Sequence, residues 1–245
     1  EEIQDAFVEF ANKVPFYGSV VACGDEPNVT SILPRIKRPV VTYGIGESCA
    51  IRAENIQHEG QHASFMLMVE GRPVMPYVLH VPGRHNVLNA LAAISVASEL
   101  DMPWQTVKDG LAEFSGVRRR FEVKGEVNDV VIVDDYAHHP TEVENTLRTA
   151  RICWPERRVV ALFQPHLFTR TRDFAVEFGR ALALADVILL ADIYPSRERA
   201  IPGVTSELIA QATMESDSTS THLIGNDELT KRTQTHLRRG DVLIA

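Results

Sequence analysis

The chain has 245 residues, of which 44% are hydrophobic and 24% charged, and a formal net charge of −8 with a pI near 5.6. This is the composition of a folded α/β-sized chain with room for one large or two medium cores, and its acidic balance argues against a face that binds nucleic acid. No apolar run reaches the about 18–20 residues of a membrane span, the opening EEIQDAF lacks the form of a signal peptide, and Cys23, Cys49 and Cys153 show neither zinc spacing nor a disulfide framework, a pattern that fits a reducing cytoplasm.

Taken in chain order, the first residues predict an amphipathic helix with Ile3, Phe7, Val8 and Phe10 on one side. A buried strand GSVVACG, a short helix in EPNVTSILPRI and a second buried strand PVVTYGIG follow. Antiparallel strands are expected in AIRAENIQHEG, ASFMLMV and PVMPYVLHV, the last two joined by a turn at Glu70-Gly71-Arg72. Two helices come next, one from about Asn86 to Leu100 and one starting with Pro103 at its first position and ending near Phe114.

The pattern changes near Ser115-Gly116-Val117, and the domain boundary is placed there: residues 1–116 and 117–245. Beyond it, strands at 130–135, 158–164, 186–192, 221–225 and 241–245 alternate with helices at 140–151, 172–185, 205–214 and 227–238. Such alternation predicts a parallel sheet wrapped by helices. The helix at the first residues and the apolar strand DVLIA at the last ones read as an element interrupted at either end, so further sequence is expected on both sides.

Ligands of a doubly wound sheet bind outside the carboxyl ends of its strands. Three strand ends here empty into polar clusters: Asp134-Asp135-Tyr136-Ala137-His138-His139-Pro140-Thr141-Glu142, Gln164-Pro165-His166 running to Arg170-Thr171-Arg172-Asp173, and Ile193-Tyr194-Pro195-Ser196-Arg197-Glu198. Thr141 and Asp173 would suit helix caps, but capping does not account for paired histidines and several arginines, whose forks bind carboxylate or phosphate. In Gly83-Arg84-His85-Asn86-Val87-Leu88-Asn89, Asn86 either caps the next helix or, with Asn89, reads the edge of a base through a paired donor and acceptor. The run Arg118-Arg119-Arg120 is either a solvated charge run or, at a domain boundary, a group facing phosphate or ribose. No G-x-x-x-x-G-K-[ST] phosphate loop occurs.

At these residues the chain resembles the Mur ligase family. GRHNVLNALAA looks like its nucleotide-base motif, GVRRRFE like its interdomain arginine motif, and VDDYAHHPTEV like its ribose and substrate motif. The last of these, with QPHLFTRTRDF and DIYPSRE, is similar to the branch that joins L-alanine to UDP-N-acetylmuramate. The resemblance implies an α/β fold: residues 1–116 as the latter part of a central ATPase domain with antiparallel strands, residues 117–245 as a Rossmann-like domain lacking its end. It implies an ATP-dependent ligase of cytoplasmic peptidoglycan precursor synthesis, tied to cell shape and division. ATP phosphorylates the sugar's carboxylate, the alanine amine attacks the acyl phosphate, and magnesium assists from ligands expected upstream of Glu1. By motif position, His85, Asn86 and Asn89 would meet adenine, and Arg120 and Asp135 the ribose. Tyr136, His138, His166 and Arg170 would line the amino-acid site, with Arg170 on the alanine carboxylate. No metal ligand is assigned within the chain, and neither nucleic acid nor membrane is expected as a partner. Leu167 stands where some members carry arginine, and His139 is left a structural role. The alternatives are another ligase of the family, such as one recycling murein tripeptide, and a nucleotide-binding module without turnover.

Overall fold

Strand burial separates two kinds of sheet in this chain, one half-exposed and antiparallel on one side, the other with central strands buried on both faces. The computed structural model describes residues 2–216 and 220–245, and the chain divides into a unit Glu1–Ser115 and a unit Gly116–Ala245.

The first unit opens with α1 (Glu2–Asn12), then β1 (Val20–Cys23). The predicted helix in EPNVTSILPRI is two pieces, α2 (Pro27–Thr30) and a 3-10 turn Leu33–Arg35, because Pro34 cannot continue the ladder begun by α2. Then come β2 (Val40–Gly44), β3 (Ile51–Glu59), β4 (His62–Val69) and β5 (Arg72–Leu79) in one five-stranded sheet of that order. β1, β2 and the start of β3 are parallel, and β3, β4 and β5 are antiparallel. Val69 pairs directly with Arg72, so the turn is the two residues Glu70 and Gly71, both at positive φ, the geometry that follows the twist of a hairpin.

Helices α3 (Arg84–Glu99) and α4 (Trp104–Glu113) bury Val87, Leu91, Ile94 and Val107 in a core with Phe65, Leu67, Tyr77 and Leu79. Tyr77 is fully buried, stacks on Phe65 at 5.5 Å and donates its hydroxyl to the Trp104 carbonyl at 3.3 Å; burial pushes its pKa up to about 12. Pro103 is the residue before α4, in extended backbone, and not its first helical position. The apolar side of α1 forms as predicted but is not a core face: Ile3, Phe7 and Phe10 are exposed, and the helix buries Ala11.

The second unit is a six-stranded sheet. Its strands are β6 (Glu122–Val127), β7 (Val130–Asp134), β8 (Arg158–Phe163), β9 (Val187–Ala191), β10 (Ser220–Ile224) and β11 (Asp241–Ile244), in the order β10-β9-β8-β11-β7-β6. All pairs are parallel except β6 with β7. Side chains alternate between two cores. Val131, Val133, Ala161, Phe163, Ile188 and Ile244 face α5 (Pro140–Cys153), α7 (Ala175–Leu182) and α8 (Glu207–Ser216), while Val130, Val160, Val187, Leu189 and Leu243 face the other side with Ile224 and, half-buried, Leu229 of α9 (Leu229–His236). Helices on both faces explain why these strands read as unbroken apolar runs.

Two elements of the second unit differ from the sequence expectation. Edge strand β6 was not foreseen, because its residues are almost all exposed and carry no apolar alternation. The helix expected at 172–185 starts earlier and is broken, α6 (Phe168–Asp173) ending where Phe174 leaves helical geometry and α7 beginning. At the paired amino ends of β8 and β11, Arg158 donates from Nε and Nη2 to the two oxygens of the buried Asp241, at 2.9 and 2.7 Å. Among the described residues no helix is long and apolar enough to cross a membrane.

Candidate active site

The carboxyl ends of β7, β8 and β9 bring four imidazole and phenol rings together. The His138 ring lies 5.2 Å from that of Tyr136 and 6.5 Å from that of His166, and His166 stacks on Tyr194 at 5.6 Å. Arg170 completes the group by donating from Nη1 to the His138 carbonyl at 3.3 Å. Four residues singled out from sequence, Tyr136, His138, His166 and Arg170, therefore share one rim, and Tyr194 is a member that sequence reasoning left unassigned.

Each loop is fixed by bonds its own sequence supplies. His139, and not Thr141, caps α5: its ring accepts the Thr141 N–H, and Glu142 reaches back to the His139 N–H at 3.1 Å. This is a capping box, with His and Glu three apart. Glu142 does more than cap. Its Oε2 also accepts the His138 N–H at 3.0 Å, and its Oε1 takes Arg120 Nη1 at 3.2 Å. Burial raises the Glu142 carboxyl, but the His138 N–H and the Arg120 guanidinium outweigh it and hold the group below the usual range.

The β8 loop is anchored to the β9 loop. Tyr194 N–H donates to the Pro165 carbonyl at 2.8 Å and Leu167 N–H to the Tyr194 carbonyl at 3.0 Å. Leu167 sits at φ 75°, ψ 134°, a conformation that costs a non-glycine residue about 1–3 kcal/mol and recurs at ligand sites. The Glu198 carboxylate holds the start of α6 through the N–H and hydroxyl of Thr169. Arg170 lies inside α6 and not before it, and Asp173 is the last residue of that helix, paired with Arg172 at 2.7 Å. Arg170 itself has no ion pair with a described carboxylate. The His166 ring is pushed below its ordinary value by burial, then by the Arg170 cation and by His138, and its buried Nδ1 has no partner among the described residues.

Asp135 is mostly turned inward. Its Oδ2 accepts the Phe121 N–H at 2.9 Å and the Thr146 hydroxyl at 3.0 Å, and burial, partly offset by those bonds, raises its carboxyl. Asp135 thereby pins the turn in which Arg119 and Phe121 take positive φ and from which Arg120 projects. Arg119 lies 4.6 Å over the Tyr136 ring and 3.6 Å from Asp134.

In the first unit, Gly83 at φ 94° leads into α3, so Asn86 lies within the first turn and is not its cap. Asn86 donates to the Pro82 carbonyl at 2.7 Å and accepts from Asn89 at 3.3 Å, which leaves the exposed Asn89 carbonyl oxygen outward. His85 is half-buried at the same helix start. Among the described residues no group of three or more His, Cys, Asp or Glu side chains is arranged to hold a metal.

A doubly wound unit with an arginine-and-histidine rim, following a unit of mixed sheet, defines the class. Residues 119–245 match the "Mur ligase, glutamate ligase domain" and residues 1–97 the "Mur ligase middle domain", and the chain belongs to the Mur ligase family. It is 44% identical over 248 residues to a UDP-N-acetylmuramate–L-alanine ligase of Pelobacter propionicus, covering 100% of this chain and 53% of that protein. It is 51% identical over 215 residues to one of Chlorobaculum tepidum, covering 86% and 45%. Among solved structures, the UDP-N-acetylmuramate-alanine ligase of Thermotoga maritima superposes with a TM-score of 0.77 at 26% identity, over 98% of this chain and 50% of that one. A murein peptide ligase of Psychrobacter arcticus gives 0.69 at 26%, over 99% and 50%. The chain spans about half the length of the relatives it matches.

Proposed function

We propose that the chain forms part of an ATP-dependent amide ligase that joins L-alanine to UDP-N-acetylmuramate in cytoplasmic peptidoglycan precursor synthesis. The observation that carries this reading is the rim of the second unit, where Arg170 offers a guanidinium without a carboxylate partner among the described residues, beside Tyr136, His138 and His166. A free amino acid presents one carboxylate and must keep its amine available, and an arginine fork on the first leaves the second clear. Chemistry needs the sugar's carboxylate activated by phosphoryl transfer from ATP, then attack by the amine with loss of phosphate.

In this reading Asn86 and Asn89 read the adenine edge with His85 beside it, and Arg120 reads the ribose. Asp135 serves Arg120 by fixing the turn at Phe121. No magnesium ligand is assigned to these residues, and no step is routed through the ion. The relatives named above support alanine as the amino acid, and the two arms of sequence similarity, over both units, support a single ligase rather than an isolated nucleotide-binding module. The murein peptide ligase likeness keeps one other substrate in view. The test is phosphate release by a full-length ligase carrying this sequence, with ATP, UDP-N-acetylmuramate and either alanine or murein tripeptide. Turnover is expected with alanine; turnover with the tripeptide alone would move the assignment to the peptide-recycling branch.

A further inference from the structure

We propose that His138 is the base that takes a proton from the α-ammonium of the incoming amino acid, and that Glu142 is the residue that positions it. The inference rests on the amino-acid reading of the rim given above.

The tautomer is dictated by a carbonyl. His138 Nδ1 lies 2.8 Å from the Tyr136 carbonyl oxygen, which can only accept, so Nδ1 carries the hydrogen. In the neutral ring that leaves Nε2 with its lone pair free. Behind the ring, Glu142 Oε2 stands 3.4 Å from Nδ1 and also accepts the backbone N–H of the same residue. A carboxylate on the Nδ1 side fixes the orientation of an imidazole and stabilises the cation formed when Nε2 takes a proton.

The other imidazoles are less suited. The His139 ring accepts the Thr141 N–H as the cap of α5. His166 has the Arg170 cation beside it and a buried Nδ1 without a partner among the described residues, both of which oppose protonation. The groups facing the His138 ring are Tyr136 from its own loop, Glu142 from the first turn of α5 and His166 from the β8 loop; Arg170 approaches its carbonyl, and Arg120 lies on the far oxygen of Glu142. Because Arg170 bonds the carbonyl of His138, the fork for the carboxylate and the base for the ammonium are one hydrogen bond apart, as the two ends of an α-amino acid require.

One ammonium proton passes to His138 Nε2. The freed lone pair forms the C–N bond at the acyl-phosphate carbon, and the C–O bond to phosphate breaks with its electron pair leaving on phosphate. A second nitrogen proton leaves with the phosphate, and the imidazolium returns its proton to solvent.

In a full-length ligase carrying this sequence, His138→Gln is expected to lower kcat by about 10²–10⁴-fold near neutral pH, the range of general-base catalysis, with alanine KM changed by less than about threefold. The deficit should shrink by roughly tenfold per pH unit as pH rises toward the amine's own pKa, where free amine exists without a base. Glu142→Gln keeps a residue able to close the capping box, so its fold is expected to hold, and should show a smaller kcat deficit of about tenfold with the same recovery at high pH. If His138→Gln fails to fold, Glu142→Gln carries the test. A deficit that is equal at every pH, or a raised alanine KM with kcat intact, would overturn the proposal. An Arg170→Lys enzyme with unchanged alanine KM would instead sink the amino-acid reading beneath it.

Discussion

Replacing Arg170 with lysine keeps the charge on the rim and removes the fork. In the structure the Arg170 guanidinium donates to the His138 carbonyl and, among the described residues, makes no ion pair with a carboxylate. The neighbouring acids are already committed, Glu142 to Arg120 and Asp173 to Arg172. A bound carboxylate would thus be the guanidinium's first charged partner, and a charge-assisted hydrogen bond lost there is worth about 1.5–3 kcal/mol. At about 1.4 kcal/mol per tenfold, alanine KM should rise about ten- to a hundredfold, with ATP KM moving far less. Steady-state kinetics of a full-length ligase carrying this sequence, one substrate varied at a time, measure both. An unchanged alanine KM together with a lowered melting temperature would refute the reasoning and reduce Arg170 to a clamp on the His138 loop.

Other outcomes follow from the same geometry. Asp241→Ala leaves the half-buried Arg158 with its bond to the His236 carbonyl but without its carboxylate, and should destabilise the second unit by about 3 kcal/mol, a loss of roughly 10 °C in its melting temperature by calorimetry. For His166, the folded-state pKa lies below the ordinary value near 6.5, so its contribution is fully present above that pH and is lost as pH falls through the lowered folded value. Urea midpoints at about pH 7.5 and 5 should therefore draw closer together in His166→Gln than in the parent chain, and an identical gap would contradict the assigned environment. The 245-residue chain alone, which contains no G-x-x-x-x-G-K-[ST] phosphate loop, is expected to release no phosphate from ATP in the presence of UDP-N-acetylmuramate and alanine; turnover at ordinary enzyme rates would contradict this.

The parallel strands β7, β8, β9 and β11 were legible because burial on both faces demands unbroken apolar runs, and the rim was legible because strand ends in such sheets collect ligand-binding side chains. Strand β6 was not, since an exposed edge strand needs no apolar face and its charges look like a solvated run. The exposed face of α1 shows the converse: apolar periodicity names a helix but not what covers it. Leu167, at positive φ, bonds the Tyr194 carbonyl of the β9 loop, and Phe174, where α6 ends, packs its ring against His139; both partners are far away in sequence. Tyr194 joins the rim by stacking on His166, a contact between two loops far apart in sequence. Glu142 was closer to hand, because His139 and Glu142 stand at capping-box spacing, yet its grip on Arg120 and His138 is tertiary.

The most direct measurement of the central claim follows an oxygen atom. A full-length ligase carrying this sequence is supplied with UDP-N-acetylmuramate whose carboxylate is labelled with heavy oxygen, together with ATP and alanine, and the released phosphate is weighed by mass spectrometry. If the carboxylate is activated as an acyl phosphate and displaced by the amine, one labelled oxygen leaves on each phosphate as each amide forms. Unlabelled phosphate alongside amide product would contradict activation by that route, and labelled phosphate formed without alanine would show that the amine is not what displaces it.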